Sequence, residues 1–102
     1  MVLPGQYLER PALVDAGDAV LEGLYHRGRR RPALLVCASP EAGGMDAPIV
    51  AELAWAAARA GHASLRFQHR GLGASQGRVD PARRLDDALA AHAHLVETAR
   101  AP

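Results

Sequence analysis

The residues that invite a chemical reading gather in one stretch, Arg70-Gly71-Leu72-Gly73-Ala74-Ser75-Gln76-Gly77. Gly73 to Gly77 matches Gly-x-Ser-x-Gly, a pattern that can present a serine hydroxyl as a nucleophile. Asp86, Asp87, His92 and His94 follow in the order serine, acid, histidine. The mechanics of such a site argue against Ser75. An exposed nucleophile needs a strand entering the first glycine and a helix starting at the serine, so that the helix N-terminus supports the oxyanion. Here the preceding apolar run ends near Gln68, and Asp80-Pro81, a strong N-cap and N1 pair, starts the next helix five residues past Ser75. All four downstream acids and histidines fall on that helix. Asp87 and His94 lie two turns apart, about 10 Å along the axis, where an acid orienting a histidine needs about 3 Å. Ser75 reads as a polar residue satisfying its own loop, and no catalytic residue is assigned.

Gly71, Gly73 and Gly77 are spaced Gly-x-Gly-x-x-x-Gly. That departs from the dinucleotide pattern, and no acidic residue ends a strand about 20 residues later. His26, His62 and His69 lack ligand spacing, and His92 and His94 face different sides of a helix, so no metal or cofactor is expected. Cys37 is the single cysteine, which excludes an internal disulfide. Its apolar surroundings predict a buried, inert thiol. Arg70 is expected to pair with a carboxylate that braces the loop. Arg70, Gly71, Gly73, Ser75 and Gly77 are therefore structural loop residues.

The elements that position this loop follow from periodicity. Apolar residues in Pro11 to Val14 and Ala19 to Tyr25 flank Asp15-Ala16-Gly17-Asp18, predicting a β-hairpin. Ala33 to Ala38 is a continuous apolar run, as in a strand covered on both faces. Ser39 to Gly44 is a small-residue loop. A helix follows from about Pro48 to Ala60, capped by Asp46, with Ile49, Leu53, Ala56 and Ala60 along one face and Gly61 at the left-handed C′ position. Ala63 to Gln68 predicts a further strand. The helix after Asp80-Pro81 runs toward Ala99 with Leu85, Leu89, His92 and Val96 at helical spacing. The layout is α/β: a hairpin, then β-α-β-α with a mostly parallel sheet. It is incomplete, because the last helix has no following strand.

Composition bounds the function. The 102 residues form one domain, 1–102, with 49% hydrophobic and 23% charged residues, which is globular composition. A net charge of +1 argues against nucleic acid as a partner. The basic run Arg27, Arg29, Arg30 and Arg31 contains Gly28 and reads as a solvated turn rather than a phosphate or membrane patch. No apolar run approaches the ~20 residues of a membrane span, and the N-terminus lacks a signal-peptide pattern. A soluble, cytoplasmic protein without a membrane partner is expected.

Joined to Leu65-Arg66-Phe67, to Gly43-Gly44-Met45-Asp46 and to Leu21-Glu22-Gly23-Leu24-Tyr25, the glycine loop gives a wider pattern. Over about Val20 to Val96 the chain resembles a family of small bacterial α/β-hydrolases related to dienelactone hydrolases. The resemblance implies the N-terminal part of that fold. It makes Ser39 to Asp46 the loop that lends a backbone N–H to the oxyanion hole, with Ser39 and Glu41 as candidates. Family members commonly start this loop with a His-Pro-His-Pro-like sequence, where this chain has Cys37-Ala38-Ser39-Pro40. The family's nucleophile elbow, acid and histidine lie on strands after the second helix, outside this sequence. The resemblance thus implies a truncated or split serine hydrolase of carboxylic esters or related acyl compounds, inactive alone. The alternative is a non-catalytic interaction module that pairs with another chain. In the family's strand order, Ala33 to Ala38 becomes an open edge, suited to a complementing chain or to self-association.

Overall fold

The turn cluster Asp15 to Asp18 does what its residue types dictate: Gly17 N donates to Asp15 Oδ1 at 2.8 Å, reversing the chain. In the computed structural model, which describes residues 9–100, this turn joins β1 (Arg10–Asp15) to antiparallel β2 (Val20–His26). β3 (Arg30–Val36), helix α1 (Pro48–Arg59), β4 (His62–Phe67) and helix α2 (Arg84–Arg100) follow. The strand order is β1-β2-β4-β3. β4 pairs antiparallel with β2 and parallel with β3. The sheet is thus mixed where a mostly parallel one was expected, because the hairpin supplies two of its four strands. β3 lies at an edge among the described strands.

Alternation along β4 sorts the two faces. Leu65 and Phe67, both without exposed surface, pack with Val14, Leu21, Ala91 and Leu95, which places α2 on their side. Arg66 and Gln68 project to the other side, where Met45 and the loop after β3 lie. Val36, beside Arg66 in the register, packs with Val50 of α1 on that same side. The result is a sheet between two helices.

The apolar stripes that the spacing picks out lie on the outward faces of both helices. Asp46 does not cap α1; the N-cap is Ala47, with no side-chain bond. Pro48 occupies the first turn, and Gly61 takes the expected left-handed backbone with φ 88°. The buried stripe of α1 is Val50, Ala54 and Ala57, while Ile49 and Leu53 are 65% and 50% exposed. In α2 the inward residues are Asp87, Ala91 and Leu95, and Leu85, Leu89 and Val96 point outward. Alanines at the sheet-facing positions let both helices approach closely, so the larger side chains occupy the opposite stripe. Asp80 performs its expected capping through Ala82 N at 3.1 Å, at the head of a 3-10 turn, Pro81–Arg83, that leads into α2.

This assignment predicts unequal costs for the same chemical change. Leu95→Ala opens a cavity under α2 and should lower stability by about 2–5 kcal/mol. Leu89→Ala on the outward stripe should stay within about 0.5 kcal/mol. Urea unfolding of the two variants checks it, and equal losses would contradict the described faces.

Candidate functional site

The loops after β3 and β4 meet at the C-terminal ends of the two parallel strands, where open α/β sheets place their ligands. Arg66 of β4 and Gln68, the residue after that strand, hold the first of these loops. Met45 N donates to Gln68 Oε1 at 3.2 Å, and Met45 O accepts from Arg66 Nη1 at 2.6 Å. Arg66 also donates from Nε to Glu9 Oε2 at 2.8 Å. Ser39 and Glu41 both sit in this loop, and both side chains are engaged. Ser39 Oγ donates to Glu41 Oε2 at 3.0 Å, and Glu41 Oε1 accepts from Arg84 Nη2 at 2.6 Å. The hydrogen bond from Arg84, with those from the Glu41 backbone and Ser39, holds the Glu41 carboxyl below its ordinary range.

The glycine loop is fastened to β2. Ser75 Oγ donates to Gln68 O and accepts from Glu22 N, both at 2.8 Å. Glu22 Oε1 accepts from Ala74 N at 3.0 Å, and Gln76 N donates to Val20 O at 2.9 Å. The Ser75 hydroxyl is therefore occupied as donor and acceptor by backbone groups. No helix starts there, since the 3-10 turn begins at Pro81. Gly71, at φ 79°, passes so close to Val79 that a Cβ would lie 2.2 Å from Val79 N. Only glycine fits that crossing.

Arg70 anchors the same loop. Its Nε and Nη2 donate to Asp87 Oδ1 at 2.9 and 2.7 Å, and its backbone N donates to Asp87 Oδ2 at 3.0 Å. Its Nη1 reaches Asp18 Oδ1 at 3.2 Å, and Arg83 Nη1 reaches Asp18 Oδ2 at 3.3 Å, so the hairpin turn joins the cluster. Burial alone would raise the Asp87 carboxyl. The hydrogen bonds from the Arg70 side chain and backbone, with the charges of Arg70 and His69, outweigh it and hold the group below its ordinary value.

Asp86, Asp87, His92 and His94 all lie on α2, as the spacing predicts. The histidine beside Asp87 is instead His69, whose Nδ1 is 3.5 Å from Oδ2 and has no hydrogen bond. Its ring leans on Phe67, with centroids 4.9 Å apart. Cys37, expected to be buried, is exposed. Its neighbours Val36 and Ala38 turn into the α1 side, so alternation sends Cys37 to the opposite face. Among the described residues, no group of three or more histidine, cysteine or acidic side chains could hold a metal ion.

No family model and no curated protein matches the chain. Solved structures do. A protein of unknown function from Agrobacterium tumefaciens, named as a candidate α/β hydrolase, is 30% identical with a TM-score of 0.71; the match covers 90% of this chain and 44% of that one. An α/β serine hydrolase homologue from Coxiella burnetii is 25% identical with a TM-score of 0.76, covering 92% and 49%. The chain has part of an α/β-hydrolase fold. A lid-less α/β serine hydrolase from Xanthomonas campestris, 24% identical with a TM-score of 0.69, shares it over 98% of this chain and 48% of that one. The chain spans less than half the length of each of these hydrolase-fold structures.

Two predictions follow from the fastened loop. Ser75→Ala leaves Glu22 N and Gln68 O without their shared partner and should cost about 1–3 kcal/mol in urea unfolding. The second concerns acid. A carboxyl held below its ordinary 3.8 in the folded state contributes stability that is complete above that value and is lost as pH falls below it. Asp87→Asn should therefore lower stability at neutral pH and flatten the acid limb of the stability profile; an unchanged acid limb would contradict the ion pair.

Proposed function

We propose that this chain is the N-terminal part of a serine hydrolase acting on carboxylic esters or related acyl compounds. It supplies scaffold, while nucleophile, acid and base come from sequence outside it. The observation that carries this reading is the overlap, nearly the whole of this chain on less than half of each matched hydrolase. The occupied Ser75 hydroxyl supports it, because a serine bonded on both sides by backbone is not a free nucleophile. The finer assignment, to small bacterial hydrolases related to dienelactone hydrolases, rests on the Arg70 to Gly77 loop and its companion motifs. In this reading the Ser39 to Asp46 loop offers the backbone donor of the oxyanion hole. Its shape is fixed by Arg66 and Gln68, and Arg70, Gly71, Gly73, Ser75 and Gly77 serve as structural loop residues. The proposed setting is the cytoplasm; among the described residues no helix is long and apolar enough to cross a membrane.

The second reading is an interaction module derived from the same fold. It is favoured by the β3 edge and by the outward apolar stripes of the two helices, Ile49 and Leu53 on α1 and Leu85 and Leu89 on α2. Its partner is a complementing chain or a second copy that pairs with β3 through backbone hydrogen bonds.

The purified chain should turn over activated esters no faster than a matched blank, with Ser75→Ala identical to the parent. Hydrolysis abolished in that variant would overturn the first reading. For the second, Leu34 on β3 is 36% exposed, so Leu34→Lys is tolerated by the fold but disfavours strand addition at the edge. Light scattering should show association of the parent and its reduction in Leu34→Lys. A monomer in both, with no strand captured at β3, would remove the interaction reading.

A further inference from the structure

The guanidinium of Arg66 is shared between two distant segments. Nε and Nη2 donate to the Glu9 carboxylate, one to each oxygen, and Nη1 donates to Met45 O at 2.6 Å. Arg66 and Met45 are buried and the Glu9 side chain is 9% exposed, so little water competes for these bonds. Two parallel bonds to one carboxylate fix the plane of a guanidinium and leave it no freedom to turn. The remaining arm then has one direction, and it ends on Met45 O. Glu9 thus aims the donor that holds Met45.

The held carbonyl stands at the inner end of the Ser39 to Asp46 loop. Gln68 Oε1 fixes the Met45 N–H at the same point, and Gly44 lies so close to that oxygen that a Cβ would stand 2.1 Å from it. The outer end of the loop is tied by the Glu41 to Arg84 pair, whose side chains are 66% and 34% exposed. Ion pairs in water hold weakly, so the loop keeps its place chiefly through Met45.

We infer that Glu9 is a positioning residue for the oxyanion loop: through Arg66 it sets the place of Met45, and with it the backbone donors of Ser39 to Asp46. This role rests on the reading of that loop as part of a hydrolase site, and it brings the lead-in to β1 into the same site. A plain structural ion pair would need only opposite charges at the two positions. Positioning needs the fork.

Amide hydrogen exchange of the full chain, followed by NMR, tests the proposal. The Met45 amide is the reporter, and the Ala74 and Gln76 amides of the glycine loop are the control. Glu9→Gln should speed exchange at Met45 about tenfold or more while the control amides keep the parent rate. Arg66→Lys keeps a charge for Glu9 but has no fork to reach both partners, so it should speed Met45 exchange to a similar extent and leave the β1 amides protected. Adding Glu9→Gln to Arg66→Lys should change Met45 no further. Glu9→Asp, with the same charge on a shorter arm, should give a smaller rise at Met45 and serves if Glu9→Gln does not fold. Met45 exchange at the parent rate in the Glu9 variants or in Arg66→Lys would overturn the proposal, since opposite charge or neither partner would then suffice. A further rise in the double variant would do the same, because Glu9 would be acting by another route. Equal acceleration at Met45, Ala74 and Gln76 would also overturn it, as the pair would then hold the whole fold rather than the loop. Exchange needs no turnover, so these outcomes stand apart from the ester assay that tests the hydrolase reading.

Discussion

Asp87 is a carboxylate without exposed surface, and the fold can hold it there only because Arg70 surrounds it. Moving an isolated charge out of water costs several kcal/mol even after relaxation, so such a group must be paired and hydrogen-bonded or it unfolds its surroundings. Three hydrogen bonds from one residue meet that demand, and they come from the first residue of the glycine loop. The pair therefore sets both where that loop starts and which face α2 turns inward. Asp18 extends the same cation to the hairpin turn, so three separate segments share one guanidinium.

With Arg70 fixed, the rest of the loop has little freedom. Ser75, Glu22 and Gln76 tie it to β2, and Gly71 permits the crossing beneath Val79. The neighbouring loop after β3 is held by Arg66 of β4 and by Gln68, the residue after that strand. β4 and the residue after it thus present two kinds of side chain: Leu65 and Phe67 build the core under α2, and Arg66 and Gln68 shape the loop on the α1 side. A strand with one apolar and one polar buried face is how this sheet joins packing to a site.

The elements themselves were legible because their signals are local. A Gly and Asp turn cluster, an unbroken apolar run and an Asp-Pro helix start each act within a few residues. The helix faces were not legible, since Ala54, Ala57 and Ala91 carry the sheet contact and vanish against an alanine-rich background. Isoleucine and leucine, which dominate a periodicity count, lie on the other stripe. The need of Arg70 for a carboxylate could be read from its type, but its choice of Asp87 over Asp86 is a matter of helix phase. The Glu22 contacts with Ser75 and Ala74, and the Arg66 contact with Glu9, join residues more than fifty positions apart and leave no local pattern. Cys37 was misread for a related reason, because a continuous apolar run does not say which of its residues faces the helix.

Two different requirements meet at β3. Its edge, open among the described strands, can be satisfied by any extended backbone, since the hydrogen bonds of strand addition ignore side chains. The stripes of Ile49 and Leu53 on α1 and of Leu85 and Leu89 on α2 are more demanding, because apolar surface is well covered only by complementary shape. Both helices touch β3, one on each face of the sheet, so a segment that merely added a strand would leave both stripes in water. In the proposed interaction reading, a partner that covered both edge and stripes would bring a strand with helices on either side of it, the layered unit that this chain itself presents. A further piece of hydrolase sheet meets that description, and so, in a two-fold arrangement, does a second copy of the chain. The copy must place identical stripes against each other, whereas a hydrolase segment can be shaped to them. We propose that a hydrolase segment would be the tighter partner and a second copy of the chain the looser one.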